Sequence, residues 1–118
     1  MSRAEPNCIF CKIIGGEIPA KVVHRDNEVV AIEDVNPQAP VHLLVLPLEH
    51  YATLGEIVGV GRADVADALL RAATALGAQR GGSGGFRLVV NTGADGGQTV
   101  GHAHVHVLAG RPMSWPPG

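Results

Sequence analysis

Three histidines alternate with small or apolar residues near the end of the chain, at His102, His104 and His106. Because successive side chains of a β-strand point to opposite faces, the three imidazoles would project from one face, and the residues between them would enter the core. Imidazole titrates near neutral pH and can act as a nucleophile, a general acid or base, or a metal ligand. The pattern favours nucleophilic catalysis; a metal site and a solvated strand face are the alternatives.

A glycine-rich segment, residues 92–101, precedes these histidines. It follows Asn91 and contains Gly97, Gln98 and Thr99. Glycine allows close backbone approach, and exposed N–H groups together with Asn, Gln and Thr side chains suit phosphate oxygens. Such a segment is equally typical of a flexible hairpin turn. Its position beside the three histidines favours a phosphate site.

The only two cysteines, Cys8 and Cys11, have C-x-x-C spacing. A disulfide this local would restrain little of the chain, so we expect reduced thiols with a metal-binding or redox role. Redox C-x-x-C motifs accompany a βαβ pattern, which the surrounding sequence does not predict. Metal binding is therefore favoured, and two partly buried free thiols are the alternative.

These residues must be positioned by a small set of helices and strands. Apolar positions between 62 and 80 recur at spacings of three and four, which predicts an amphipathic helix. A shorter helix is predicted for residues 8–14, with Asn7 as its N-cap. Strands are predicted at 21–25, 28–34, 41–46, 86–91 and 103–108. This order predicts an α+β fold with a five-stranded, mostly antiparallel sheet, one long helix and one short helix.

Composition limits the possible functions. The chain has 118 residues, so we expect one domain spanning 1–118. Hydrophobic residues make up 46% and charged residues 17%, which excludes an intrinsically disordered chain. The formal net charge of −2 and an aromatic content of 3% argue against nucleic-acid binding. Since no apolar run is long enough to cross a bilayer and the N-terminus is unlike a signal peptide, we expect a cytoplasmic protein without a membrane partner.

The segment from Gln98 to Leu108 resembles the histidine triad (HIT) motif, in which three histidines alternate with hydrophobic residues. Further segments resemble the Hint branch of that family, the nucleoside phosphoramidases, and they lie at 12–21, 37–40, 90–93, 95–98 and 115–118. Two positions depart from the narrowest pattern. Thr99 stands where serine is frequent, which keeps the hydroxyl, and Gly101 replaces a bulky residue.

The resemblance implies a HIT-like fold whose sheet extends across a homodimer, and an enzyme that hydrolyses the P–N bond of purine nucleoside 5′-phosphoramidates. His104 would attack the α-phosphorus and become nucleotidylated, and water would then release the nucleoside monophosphate. His106 and His42 would orient the phosphate and stabilise developing charge. Three alternatives stay open: dinucleoside polyphosphate hydrolysis or phosphorolysis, a metal-dependent hydrolase using all three triad histidines, and a nucleotide-binding module without turnover.

The resemblance also implies roles in nucleotide recognition. Asp34 would hold the ribose hydroxyls. An apolar slot for the base would be formed by Ile18, Ile32, Val35 and Leu44. The phosphate or the leaving group would be bound by Asn91, Gly97, Gln98 and Thr99. The expected ligands are AMP, GMP and their phosphoramidates.

Two further features follow from the resemblance. Some family members carry a structural zinc site, which here would consist of Cys8, Cys11, His50 and His102. The tail, residues 111–118, would reach the dimer partner or its site, and Trp115 would pack on the leaving group there. A zinc ion bound by His102 would fix the strand that carries the nucleophile without taking part in the chemistry.

Overall fold

A computed structural model describes residues 3–118. Its five strands are β1 (Val22–Arg25), β2 (Val29–Glu33), β3 (Val41–Pro47), β4 (Phe86–Val89) and β5 (Val105–Ala109). Its α-helices are α1 (Ile9–Ile14), α2 (Leu54–Gly59) and α3 (Ala63–Gly81), and a 3-10 turn covers Gly82–Gly84. The strands form one sheet in the order β1-β2-β3-β5-β4, and every neighbouring pair is antiparallel. The predicted α+β fold with a five-stranded antiparallel sheet is confirmed.

Both faces of the central strands are buried, which explains why β2 and β3 read as nearly continuous apolar runs. Alternate residues of β2 divide between two cores: Val29 and Ala31 pack with α2 and α3, whereas Val30 and Ile32 pack with α1. The alternation in β5 has the same consequence, because Val105 and Val107 enter the α3 core. The histidines of this segment therefore lie on the α1 side.

The long helix and all five strands lie where the sequence predicts them, within a few residues at each end. The predicted N-cap Asn7 is wrong: Cys8 caps α1, and its Sγ accepts a hydrogen bond from the N–H of Cys11 at 3.3 Å. The predicted total of one long and one short helix is also too low. Helix α2 was missed because its six residues include two glycines and only Ile57 is buried; Thr53 caps it.

The last strand begins later than predicted, at Val105 instead of residue 103. The ladder between β3 and β5 extends from Val41↔Ala109 to Val45↔Val105. If the ladder continued, the next hydrogen-bonding residue of β3 would be Pro47, which has no N–H to donate to the incoming strand. His102 and His104 consequently lie in the segment that leads into β5, and Ala103 donates its N–H to the carbonyl oxygen of Tyr51 at 2.7 Å. Within residues 3–118, no helix has the length and hydropathy needed to cross a membrane.

Candidate functional site

A cleft of about 640 Å³ opens on the α1 side of the sheet. Its apolar half includes the predicted base-slot residues Ile18, Ile32, Val35 and Leu44, and its polar half includes Asp34, His42, Thr99 and His106. The sequence analysis missed further residues that line the cleft, namely Ile9, Phe10, Ile13, Pro19, Ala20, Glu33, Asn36, Gln38 and Val100. The apolar spacing of α1 includes Ile9, Phe10 and Ile13, but the same spacing is typical of a helix that packs on a core. The combination of an apolar slot and a polar end with several hydrogen-bonding groups suits a nucleotide.

His104 is not among the residues that line the cleft, but its ring centroid lies 5.0 Å from that of His106, which does, and His104 is 7% exposed. Its Nδ1 is 2.7 Å from the carbonyl oxygen of His102. Because a carbonyl only accepts, Nδ1 carries the proton and donates it. In the neutral ring, Nε2 therefore holds the free lone pair. This is the tautomer that a nucleophilic histidine needs, with its second nitrogen fixed by an acceptor.

His42 and His106 form a hydrogen-bonded pair across β3 and β5, where they are diagonal neighbours on one face. The N–H of Gln38 donates to Nδ1 of His42 at 3.0 Å, so the proton of neutral His42 is on Nε2. That Nε2 lies 2.9 Å from Nδ1 of His106 and 3.4 Å from the carboxylate of Asp34. His42 donates to His106, and neutral His106 then carries its own proton on Nε2.

Burial keeps both members of this pair neutral. It is the main cause that lowers the pKa of His106 to about 4; the neighbouring imidazoles lower it further, and the Asp34 carboxylate opposes the shift. Burial also lowers the pKa of His42, against the opposing attraction of Asp34. At pH 7 His106 is therefore a neutral donor through Nε2, able to hydrogen-bond a phosphate oxygen.

The lowered pKa of His106 predicts a pH dependence of folding stability. The unfolded chain protonates this histidine near pH 6.5, whereas the folded chain does so near 4. Between these values the unfolded state binds more protons, so the free energy of unfolding falls as the pH is lowered through this window. Since His106 is only half-buried, we expect about 1–2 kcal/mol after allowance for solvent screening. Urea unfolding of the wild type and His106→Gln between pH 7 and 4 measures it; parallel curves for the two proteins would contradict the assignment.

The glycine-rich segment is a tight loop that is stabilised by hydrogen bonds of the Asn91 and Gln98 side chains. Gly93 and Gly97 have φ of +73° and +81°, which favour glycine. The Asn91 amide donates to the Gly96 carbonyl at 2.6 Å. The Gln98 amide accepts from the Gly93 N–H and donates to the carbonyls of Ala52 and Val100. Of the predicted phosphate-side residues, Thr99 lines the cleft, whereas Asn91, Gly97 and Gln98 are not among its lining residues.

The second cluster lies behind the triad segment and brings together Cys8, Cys11, His50 and His102, as the resemblance implies. Nε2 of His102 donates to the carbonyl oxygen of Pro47 at 3.0 Å, which leaves its Nδ1 lone pair facing the two sulfurs at 3.4 and 3.6 Å. Burial lowers the pKa of this ring to about 4, so it is neutral. An N–H donated to a carbonyl is the usual support of a metal-binding histidine.

The distances between these donor atoms fit a tetrahedral metal. Nδ1 of His50 lies 3.2 Å from Nδ1 of His102 and 3.4 Å from Sγ of Cys11. Tetrahedral zinc with its usual bond lengths separates two nitrogens by about 3.3 Å, and a nitrogen and a sulfur by about 3.5 Å. Two sulfurs and two imidazoles are also the donor set that zinc prefers in structural sites. The chemistry and the spacing of the four residues both fit zinc.

The three triad histidines point to three different places. His102 faces the cysteines, His104 donates to a carbonyl, and His106 pairs with His42. Within the part of the chain that the structure describes, the three share no metal-binding cluster. Asp34, His42 and His106 also have ligand atoms close enough together to bind a metal ion. However, Nδ1 of His42 already accepts a hydrogen bond from the N–H of Gln38. The proton of neutral His42 is therefore on Nε2, where it prevents that nitrogen from binding a metal. The arrangement does not favour a metal-dependent hydrolase.

The tail leaves β5 and is held at two points. Arg111 donates to the carbonyl oxygen of Gln38, and Arg87 donates to that of Ser114 at 2.9 Å. Trp115 is 84% exposed and does not line the cleft of its own chain. In this structure the ring therefore contributes nothing to the cleft of its own chain.

Comparison with known proteins finds a matching family model, related sequences and similar solved structures. Residues 15–113 match the model of the HIT domain. The chain is 49% identical over 110 residues to an uncharacterised HIT-like protein of Synechococcus elongatus, covering 93% of this chain and 96% of that protein. It is 44% identical over 111 residues to a 14 kDa zinc-binding protein of Brassica juncea, covering 93% and 98%. The crystal structure of a HIT family hydrolase from Legionella pneumophila superposes with a TM-score of 0.84 at 48% identity, covering 95% and 100%.

Proposed function

The chain belongs to the HIT domain family, and from that membership we propose that it is a Hint-type nucleoside phosphoramidase. It would hydrolyse the P–N bond of purine 5′-phosphoramidates through a nucleotidyl-histidine intermediate. The observation that carries the proposal is the hydrogen bond from Nδ1 of His104 to the His102 carbonyl, which leaves Nε2 as a free nucleophile. A similar solved structure named as a HIT family hydrolase supports the class of reaction.

The proposed reaction has two displacement steps at one phosphorus atom. In the first, Nε2 of His104 forms a bond to the α-phosphorus, the P–N bond to the amine breaks, and the amine nitrogen takes a proton from water. In the second, water attacks the phosphorus and gives a proton to the hydroxide left by the first step, the bond between the phosphorus and Nε2 breaks so that His104 leaves as neutral imidazole, and the nucleoside monophosphate is released. The Nε2–H group of His106, supported by His42, hydrogen-bonds the charged phosphate oxygens in both steps.

Nucleotide recognition is assigned to the rest of the cleft. The purine ring would occupy the apolar half around Ile18, Ile32 and Leu44, with Val35 at its exposed rim. The Asp34 carboxylate, already near His42, would accept hydrogen bonds from the ribose hydroxyls. The loop of Asn91, Gly97, Gln98 and Thr99 would border the phosphate or the leaving group. The expected ligands are AMP, GMP and their phosphoramidates.

Trapping the intermediate tests this proposal directly. The protein is mixed with adenosine 5′-phosphoramidate, quenched in acid-free denaturant and digested, and the modified peptide is sequenced by mass spectrometry. We expect an adenylyl group on His104. Turnover without any adduct would contradict the covalent mechanism. Parallel steady-state rates on diadenosine polyphosphates measure the balance with polyphosphate hydrolysis, and kcat/KM should be higher for the P–N substrate.

We assign the Cys8, Cys11, His50 and His102 cluster to structural zinc. The fit of the donor spacing supports this assignment, as does the similarity to a plant protein named for zinc binding. When bound, zinc would supply a cross-link between α1, the end of β3 and the triad segment. It would leave the chemistry to His104 and His106.

We also propose that the enzyme is a homodimer in which the sheet continues across two copies of β4. β4 is hydrogen-bonded to β5 on one side, and its other edge has no neighbouring strand among the described residues. Phe86 in this strand and Val90 just after it are apolar residues that are 37% and 38% accessible. An apolar strand edge of this kind favours pairing with another strand. A second copy would also bring its Trp115 within reach of the partner's cleft.

Removing the tail should change the choice of leaving group. A chain truncated after Arg111 lacks Trp115, whose proposed stacking contact is worth roughly 0.5–1.5 kcal/mol. We therefore expect the ratio of kcat/KM for bulky aromatic amines over the unsubstituted amine to fall by about two- to tenfold. Zinc content and sedimentation mass are the controls and should match the full chain. An unchanged ratio would show that the tail does not contact the leaving group.

A further inference from the structure

Helix α1 forms a wall shared by the cysteine cluster and the cleft. Cys8 at its start and Cys11 within it face His50 and His102. The side chains of Ile9, Phe10 and Ile13 line the cleft. With six residues, α1 is too short to be stable by itself, so its position depends on the contacts on both sides.

His102 provides a second connection between the two sites. Its ring belongs to the cysteine cluster, and its backbone carbonyl accepts the hydrogen bond that fixes the tautomer of His104. The two groups belong to one residue, so a backbone displacement that moves the ring relative to the cysteines also moves the acceptor of the nucleophile. The geometry of His104 consequently depends on how the cluster is held.

The ring of Phe10 reinforces this connection. It is 6% exposed and packs edge-on against two imidazoles, with ring centroids 5.8 Å from His102 and 5.2 Å from His104. The same ring lines the cleft. Because close-packed side chains transmit small displacements, Phe10 links the position of α1 to both the nucleophile and the cleft.

The donor atoms of the cluster are placed so that a cation would stabilise this arrangement. The Nδ1 lone pair of His102 lies 3.2 Å from Nδ1 of His50 and faces the sulfurs of Cys8 and Cys11. A metal ion satisfies all four donor atoms at once. The ion therefore favours the position of α1 that also shapes the apolar half of the cleft.

From these contacts we infer that metal binding at the cysteine cluster and nucleotide binding in the cleft are thermodynamically linked through α1, with Phe10 and His102 as positioning residues. The inference rests on the proposed nucleotide-binding function of the cleft. Linkage of this kind is reciprocal: nucleotide strengthens metal binding by the same factor by which metal strengthens nucleotide binding.

Zinc affinity measured with and without nucleotide tests the linkage on the loaded protein. Zinc is partitioned at equilibrium between the protein and a chromogenic chelator, in the absence of nucleotide and with saturating AMP. We expect AMP to tighten zinc binding by about five- to fiftyfold, and calorimetry to show AMP binding weakened by the same factor in the metal-free protein. An unchanged zinc affinity in protein that binds AMP would overturn the linkage alone. Failure of AMP to bind the zinc-loaded protein would overturn the proposed function as well.

The variant Phe10→Leu separates the linkage from general stability. Leucine keeps an apolar surface in the cleft and leaves all four metal ligands in place, so we expect the variant to bind zinc and AMP. The effect of AMP on its zinc affinity should fall below about twofold. Ile57→Val trims a buried side chain in the core on the α3 side of the sheet, away from both sites, and should keep the full effect. A full effect in Phe10→Leu would overturn the role assigned to Phe10.

Discussion

His104→Ala should lose turnover of adenosine 5′-phosphoramidate by about 10³-fold or more and should form no adenylyl-enzyme. No neighbouring imidazole can replace it. Nδ1 of His106 accepts from His42, and its Nε2 carries a proton at neutral pH, so that ring has no free lone pair. The free lone pair of His102 faces the cysteines. Steady-state kinetics and intact-protein mass spectrometry of quenched samples measure the two effects.

Nucleotide binding by His104→Ala distinguishes a lost nucleophile from a damaged site. The ribose and base contacts come from other residues, so the Kd for AMP should stay within a few-fold of the wild-type value. His24→Ala is the matched control, because it removes an imidazole from β1 whose hydrogen-bond partner, Asp26, lies outside the cleft. It should retain wild-type kcat/KM. Turnover by His104→Ala at a substantial fraction of the wild-type rate would exclude His104 as the nucleophile.

The sheet was predictable because its strands have strong local signals. β2 and β3 are long apolar runs bounded by turn residues, and α3 has clear helical periodicity. Helix α2 lacked such a signal, since Gly55 and Gly59 lower its helix propensity. The start of β5 depends on Pro47 in a different strand. This dependence is a tertiary effect, so the local sequence around residue 103 contains no signal for it.

The clustering of the histidines could be predicted from the sequence, but the nitrogen that carries the proton in each ring could not. Alternation of side chains places His104 and His106 together, and the pairing of β3 with β5 brings His42 to them. Which nitrogen of each ring carries the proton depends on backbone groups far away in sequence, such as the Pro47 carbonyl that accepts from His102. The contribution of α1 to the cleft was missed for a related reason. An apolar stripe has the same sequence pattern whether it faces a core or a ligand.

The cluster of Cys8, Cys11, His50 and His102 predicts a strong dependence of stability on zinc. Protein purified without chelators should contain about one zinc per chain, and the double variant Cys8→Ser/Cys11→Ser should contain none. A ligand that binds only the folded state at a thousandfold excess over its Kd stabilises it by about 4 kcal/mol. For a domain of this size, losing that contribution lowers Tm by roughly 10–20 °C.

The loss of stability should result from loss of the metal and not from the substitutions themselves. Chelation should lower the Tm of the wild type towards that of the double variant, and added zinc should restore the wild type alone. Lys12→Ala, in the same helix but outside the cluster, should keep both its zinc and its response to chelation. Wild-type protein without zinc would exclude the metal site. A zinc-free double variant with the wild-type Tm would instead show that the fold holds α1 against the triad segment without the metal, because the Phe10 contacts with His102 and His104 would then be sufficient.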